Sequence, residues 1–182
     1  TNTGGVKCWG SNGYGQLGDG TTELLRTSAV DVVGLASGVK SVSVTEDGSC
    51  ALMESGGVKC WGDTIELNHS ATPKDITGLS AGIKMIVAGA YHLCALTVDD
   101  GVICVGQNDY GQLGDGTSTS RPTPVGVIGL GSNVKAIGAG RFHTCAALHT
   151  GGVKCWGRND SGQLGDGSTL DRPSPVNVLE IE

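Results

Sequence analysis

The amino-acid sequence predicts an all-β fold, on three observations. Short runs rich in Val, Ile, Ala and Cys alternate with Gly, Asp, Asn and Pro. No stretch places apolar residues at i, i+3, i+4 and i+7 as an amphipathic helix would. Third, 32 glycines among 182 residues occur without a three-residue period and with only 5 prolines, which fits frequent turns rather than collagen or a disordered linker.

The runs repeat in order. The heptad "GGVKCWG" stands at 4–10, 56–62 and 151–157, and in altered form as "DGVICVG" at 100–106, giving steps of 52, 44 and 51 residues. "GQLGDG" follows at 15–20, 111–116 and 162–167, then a segment such as "TPVGVIGL" at 123–130, then "VKSVSV", "IKMIVAG" or "VKAIGAG", and last "CALMES", "CALTVD" or "CAALHT". Four β-like runs per period of this length predict the blades of a β-propeller. The repeats lie near 1–38, 39–82, 83–133 and 134–182 of a single repeat domain, and the first lacks its two leading runs, so about three and a half blades are expected. A propeller with an open end exposes strand edges. The chain therefore reads as part of a longer polypeptide or as a subunit completed by its neighbours. The second repeat runs "DTIELNHSAT" between Gly62 and Pro73, so it has lost the "GQLGDG" loop.

Cysteine spacing predicts three bridges. Cys50 and Cys60, Cys94 and Cys104, and Cys145 and Cys155 are each ten residues apart. A hairpin turning through three residues, with Gly151 in the left-handed region, sets such a pair opposite each other; a two-residue turn would put the sulfurs on opposite faces. Each bridge is worth roughly 2–3 kcal/mol in the chain-entropy model and calls for an oxidising compartment. Zinc held by His92, Cys94 and Cys104, or by His143, Cys145 and Cys155, is the rival reading; with three ligands per site and no CxxC, no metal is expected. Cys8 has no cysteine ten residues before it and is expected to be unpaired or to bond between chains.

Trp9, Trp61 and Trp156 alternate with cysteines and so occupy the opposite sheet face, where packing between adjacent blades is expected; Val105 stands in the fourth such position. In "GQLGDG", the leucines (Leu17, Leu113, Leu164) should tuck inward while the aspartates (Asp19, Asp115, Asp166) accept backbone N–H bonds. One carboxylate per loop falls far short of the six to eight oxygens calcium takes. Gly13, Gly15 and Gly18 satisfy GxGxxG, but no helix follows to receive a phosphate. "NHS" at 68–70 and "NDS" at 159–161 have the form of glycosylation acceptors.

Composition excludes several functions. A net charge of −6 with no cluster of Lys or Arg disfavours nucleic acid, and no apolar run approaches the roughly 18 residues a membrane helix needs, so no membrane insertion is expected. The start carries neither the basic residues nor the apolar stretch of a signal peptide. No GxSxG surrounds a serine, His92 and His143 share one repeat position as structural residues would, and His69 and His149 stand outside any nucleophile pattern, so neither enzyme activity nor a cofactor is expected.

At these segments the chain resembles the repeats of the regulator of chromosome condensation family. The pattern is carried by "AGRFHTCAALHTGGVKCWGRNDSGQLGDGSTLDRPSPVNV" at 139–178, with further copies at 88–127 and altered ones at 4–33 and 45–76. The resemblance implies a β-propeller, commonly seven-bladed. The cysteine-bearing form is similar to versions of the repeat in secreted or surface proteins of bacteria. The family's founding member is a nuclear exchange factor for a small GTPase and binds chromatin; the acidic balance and the cysteine pairs point away from that role. The expected function is a non-catalytic extracellular or cell-surface module that binds a protein or a glycan through variable loops. Tyr14, Asn108, Asp109, Tyr110, Arg158, Asn159 and Asp160, from "SNGYG", "QNDYG" and "RNDSG", are the expected contact residues. The alternative is a structural homo-oligomer, a fibre, ring or surface layer completed by strand exchange.

Overall fold

The computed structural model describes residues 1–64 and 67–179 and contains no helix among them. A two-stranded sheet comes first, β1 (Lys7–Ser11) and β2 (Leu25–Asp31). Three four-stranded antiparallel sheets follow. The first holds β3 (Val39–Val44), β4 (Gly48–Met53), β5 (Val58–Thr64) and β6 (Leu67–Asp75). The second holds β7 (Ile83–Ala88), β8 (His92–Thr97), β9 (Val102–Gly106) and β10 (Arg121–Gly126), and the third β11 (Val134–Ala139), β12 (His143–Leu148), β13 (Val153–Gly157) and β14 (Arg172–Asn177). Within each sheet the strands lie in chain order, the meander of a propeller blade. The half blade corresponds to the outer pair of a full one: Cys8 faces Val30 as Cys155 faces Val176, and Gly10 faces Arg26 as Gly157 faces Arg172. The chain forms two compact units, Thr1–Ile83 and Lys84–Glu182.

The central hairpin of each blade turns as the cysteine spacing requires. In the last blade Leu148 N–H donates to Gly152 O, which leaves His149, Thr150 and Gly151 as the three-residue loop, with Gly151 at φ +88°. The same loop recurs with Gly56 at φ +82° and with Asp100 at φ +63°, where a carboxylate residue takes the left-handed conformation that glycine fills elsewhere. Cys50 therefore lies opposite Cys60, Cys94 opposite Cys104, and Cys145 opposite Cys155, and each pair is bridged. Cys8 is a free thiol. With their sulfurs in bridges, these cysteines cannot also bind zinc as thiolates.

Within each unit the cysteine face of one blade packs against the tryptophan face of the next. In the second unit Cys94, Leu96, Val102 and Cys104 share an apolar core with Val134, Ile137, Ala146 and Trp156. In the first, Cys8 and Val6 of the half blade pack with Ala51 and Trp61 of the following blade. Trp61 and Trp156 are fully buried as the alternation predicts, whereas Trp9 is 67% exposed. The expectation for Trp9 is corrected: Trp61 and Trp156 each bond to the loop of the blade before their own, and among the described residues no such loop covers Trp9. The second repeat indeed lacks that loop, and β5 and β6 pair out to Thr64 and Leu67 instead.

Alkylation of the denatured, unreduced protein is expected to label one cysteine, Cys8, and alkylation after reduction all 7; peptide mapping by mass spectrometry reads the result.

Candidate functional site

Three loops, at 11–26, 106–121 and 157–172, present the variable residues, and one buried asparagine organises each. Asn12, Asn108 and Asn159 have no solvent exposure. Their Oδ1 atoms accept the N–H of Leu17, Leu113 and Leu164 at 3.0, 2.9 and 3.0 Å. Their Nδ2 atoms donate to Asp19, Asp115 and Asp166 at 3.4, 3.1 and 3.1 Å and to the carbonyls of Thr21, Thr117 and Ser168 at 3.2, 3.0 and 3.1 Å. The leucines are buried as expected. So are the roles of the aspartates: each accepts the N–H two residues on, in Thr21, Thr117 and Ser168, at 2.9, 3.0 and 3.0 Å.

Each aspartate also meets an arginine at the start of the outer strand, Arg26, Arg121 or Arg172, with Nε to Oδ2 distances of 3.0, 2.9 and 2.7 Å. These arginines were not singled out in the sequence, although each stands six or seven residues beyond its aspartate. Burial raises the pKa of Asp19 and Asp115, but hydrogen bonds from threonine and arginine outweigh it and hold both below the usual carboxylate value. At Asp166 the Ser168 hydroxyl, with Arg172 and Asn159, brings the pKa to about 2.

The loops are gripped by the following blade. The carbonyl of Gln16 accepts Trp61 Nε1 at 2.8 Å and Ser49 Oγ at 3.0 Å; that of Gln112 accepts Trp156 Nε1 at 2.9 Å and Thr144 Oγ1 at 3.2 Å. Gly114, at φ +68°, lies so close to the indole that a Cβ there would fall 2.8 Å from Trp156 Nε1. Because the Thr144 hydroxyl donates to Gln112, it accepts from His92 Nε2 at 2.9 Å. That leaves His92 Nδ1 a bare lone pair, buried and without a partner. Gly89 makes room for the ring, since a Cβ there would sit 2.1 Å from His92 Cε1, and Gly140 does the same for His143. In the second repeat the exchange is reciprocal, with Thr45 in place of the glycine and Gly48 in place of the histidine.

The frame carries few large side chains, and in the second unit they gather. Tyr110 and Phe142 have ring centroids 5.3 Å apart. The Arg158 guanidinium lies 5.3 Å from the Tyr110 ring centre and 5.8 Å from that of Phe142, and Arg141 covers Phe142 at 5.2 Å. Arg158 also pairs with Asp160, and its backbone N–H donates to Phe142 O at 2.9 Å, which ties the two loops together. Beside the cluster Asp109, Tyr110 and Asp171 line a cavity of about 450 Å³. In the first unit Tyr14 stacks at 5.0 Å on His69.

Of the expected contact residues, Tyr110, Asp109, Arg158 and Asp160 thus come together, and Tyr14 is exposed in the other unit. Asn108 and Asn159 are corrected: fully buried and saturated by loop hydrogen bonds, they build the loops and cannot touch a partner. For the same reason Asn159 cannot accept a glycan, while the side chain of Asn68 lies outside the described residues. Phe142 and Arg141 were missed. Their signal was available, since Phe142 is the only phenylalanine and both occupy the variable positions of "AGRFHTC". Among the described residues no group of three His, Cys, Asp or Glu side chains is placed to hold a metal ion.

Comparison with known proteins agrees with this architecture. Models of the regulator of chromosome condensation (RCC1) repeat match residues 83–112 and 134–163, and 99–147 and 150–181. The chain belongs to the RCC1 repeat family. Over 95% of its length it is 35% identical to the human probable E3 ubiquitin-protein ligase HERC4, covering 17% of that protein. Over 42% of its length it is 40% identical to the ultraviolet-B receptor UVR8 of Arabidopsis thaliana, covering 18% of it. Among solved structures, human WBSCR16 superposes with a TM-score of 0.84 at 24% identity, over 98% of this chain and 49% of that one. Yeast RCC1 (Prp20), solved bound to Kap60, gives 0.81 at 23%, over 96% and 44%. The chain thus spans less than a fifth of these curated relatives and about half of the solved propellers, which share its fold.

Two outcomes follow from the loop chemistry. Asn159→Ala removes the acceptor of Leu164 N–H and the donor to Asp166, and is expected to lower stability in urea unfolding by about 2–4 kcal/mol with little change in m. His92, held neutral by burial and by the neighbouring His143, has its pKa lowered from 6.5 to about 4. Protons then bind the unfolded state preferentially between those values, so this contribution is complete above pH 6.5 and is lost as pH falls toward 4. Its size is on the order of 3 kcal/mol, and His92→Gln should flatten the pH dependence of the urea midpoint across that window.

Proposed function

We propose that the chain is a non-catalytic binding module that recognises another protein through the face built by Tyr110, Phe142, Arg141, Arg158 and Asp160. The observation that carries this reading is the arginine–aromatic cluster itself. A chain with 3 tyrosines and 1 phenylalanine places one of each, with two arginines, on adjoining loops of one face. Partly exposed aromatic and arginine side chains held rigidly are the usual source of binding energy at protein interfaces. The loops beneath are fixed by buried Asn and Asp, so their side chains are presented at little entropic cost on association. HERC4 and UVR8 are named as a probable ubiquitin ligase and a light receptor. Yeast RCC1 was solved with a protein partner, Kap60, and the binding of Prp20p to Gsp1p and histones has been described, so propellers of this fold take part in protein recognition.

The three bridges support a place outside the reducing cytosol, and we assign the module to the extracellular space or the cell surface. A glycan is the second ligand class. The cavity beside Tyr110 favours it, since it combines an aromatic wall with the carboxylates of Asp109 and Asp171.

The test is quantitative capture from surface extracts and conditioned medium, with a glycan array in parallel. Phe142→Ala and Arg158→Ala are each expected to weaken the captured interaction at least about 10-fold while leaving the thermal midpoint within about 2 °C of the parent. If both variants retain every captured partner at unchanged affinity, the assignment of this face fails. Binding abolished by Asp109→Asn and Asp171→Asn, but not by the two alanine substitutions, would favour the glycan.

A further inference from the structure

We infer that the junction between the β7–β10 blade and the β11–β14 blade is a hinged latch, which acid opens at the end bearing Tyr110 and Phe142, with His92 as the catch. This names a regulation of the face proposed above and rests on that reading for its use, while the opening itself is measured without a partner.

His92 lies wholly inside the junction. Its Nε2 donates to Thr144 Oγ1 at 2.9 Å, and Thr144 donates in turn to Gln112 O, which also holds Trp156. The donors run one way, so Nδ1 is the unprotonated nitrogen, and among the described residues no polar atom meets it. Gly89 borders that side of the ring, since a Cβ there would fall 2.4 Å from Nδ1. A proton arriving at Nδ1 therefore makes a charged donor with nothing to receive it, between two blades. Parting the blades at this end hydrates the ring and removes that cost.

The surroundings supply no counter-charge. His143 of β12 opposes protonation of the ring, and Arg141, on the turn before β12, is itself a cation. Tyr91 and Tyr110, from the turn before β8 and from the loop at 106–121, contribute phenols. The acids of that loop are engaged elsewhere, Asp109 by Gln107, and Asp115 by Asn108 and Arg121. β7 and β11 carry Lys84 and Lys135 near their opposite ends. Burial, with His143, lowers the His92 pKa from 6.5 to about 4.

The far end of the same junction behaves in the opposite sense. β8 and β12 begin with His92 and His143, and the turns beyond their other ends carry Asp100 and His149. There Asp100 O accepts Val134 N–H at 3.0 Å, Asp100 pairs with Lys84, and His149 Nε2 lies 3.2 Å from Asp100 Oδ2. The Lys84 hydrogen bond above all, joined by His149, holds the Asp100 carboxyl below its usual value, so it stays charged while His92 takes up its proton. Acid only adds charge to His149, opposite that carboxylate. One end of the junction thus loses its fit over a pH range in which the other keeps its attraction, and the blades pivot about Asp100. Tyr110 belongs to the first blade and Phe142, Arg141 and Arg158 to the second, so the pivot takes the binding face apart.

Three backbone bonds between these blades report the motion. Ala90 N–H donates to Arg141 O and Gly116 N–H to Pro173 O at the latch end, and Val134 N–H to Asp100 O at the hinge. With a pKa of about 4 closed and 6.5 open, the open population rises about 20-fold from pH 7 to pH 5. Amide exchange followed by NMR, corrected for the intrinsic pH dependence, is expected to show that loss of protection at Ala90 and Gly116 and little change at Val134. His92→Gln should abolish the difference; if that variant does not fold, the His92 ring resonance of the parent should titrate near 4. Because Phe142 is the only phenylalanine, fluorophenylalanine labelling gives one 19F resonance, whose exchange broadening should grow at pH 5. Unchanged protection at Ala90 and Gly116, an equal loss at Val134, or a 19F line indifferent to pH would each overturn the latch. A face that captures no partner at pH 7 would sink the binding reading and leave these exchange rates as they are.

Discussion

Much of this structure depends on one backbone carbonyl per loop, that of Gln16 in the first unit and of Gln112 in the second, held by an indole and a hydroxyl from the following blade. The carbonyl is available only because the "GQLGDG" loop curls through three left-handed glycines, which turns the chain back beneath the tryptophan. Blade stacking is otherwise apolar and non-directional. The two hydrogen bonds add a direction, and so fix how far one sheet can slide over the next. Removing the indole would take one of the carbonyl's two donors and leave a void.

The loop's inner layer serves the same constraint. A buried asparagine joins both ends of the turn to the middle, an aspartate caps the next segment, and an arginine from the outer strand neutralises the aspartate. What reaches solvent is then free to vary, as Tyr14, Tyr110 and Ser161 do at one position of an otherwise repeated frame. Burial of the conserved polar layer and variation of the outer residues are two sides of one design, and they account for how a rigid fold can offer different surfaces from nearly identical segments.

The four-strand period and the three bridges were legible in the sequence because both are local. Strand alternation has a period of two, and a ten-residue cysteine step permits one odd-length turn. The lost loop of the second repeat was legible too, as a seven-residue shortening. Burial was harder to read. Asn108 and Asn159 look like loop residues exposed for contact, yet their neighbours turn all four polar positions inward, which is a property of the closed loop. Trp9 shares its heptad with Trp61, and the loop that covers Trp61 comes from a different repeat, so the heptad itself carries no sign of it. The arginine–aromatic cluster joins residues from two repeats, and no spacing rule within one repeat could place Phe142 beside Tyr110.

The second repeat has no "GQLGDG" loop, and the repeat after it carries Leu93 and Val105 where the others carry a hydroxyl and an indole. Neither residue can donate a hydrogen bond from its side chain, whereas Ser49 with Trp61 and Thr144 with Trp156 each serve a loop carbonyl inside their own unit. Within each unit the neighbouring modules are therefore matched couples. Replacing the second module, or the last, by a copy of the third would leave the carbonyl of Gln16, or of Gln112, without its side-chain donors, so the order of the modules within a unit is itself encoded information.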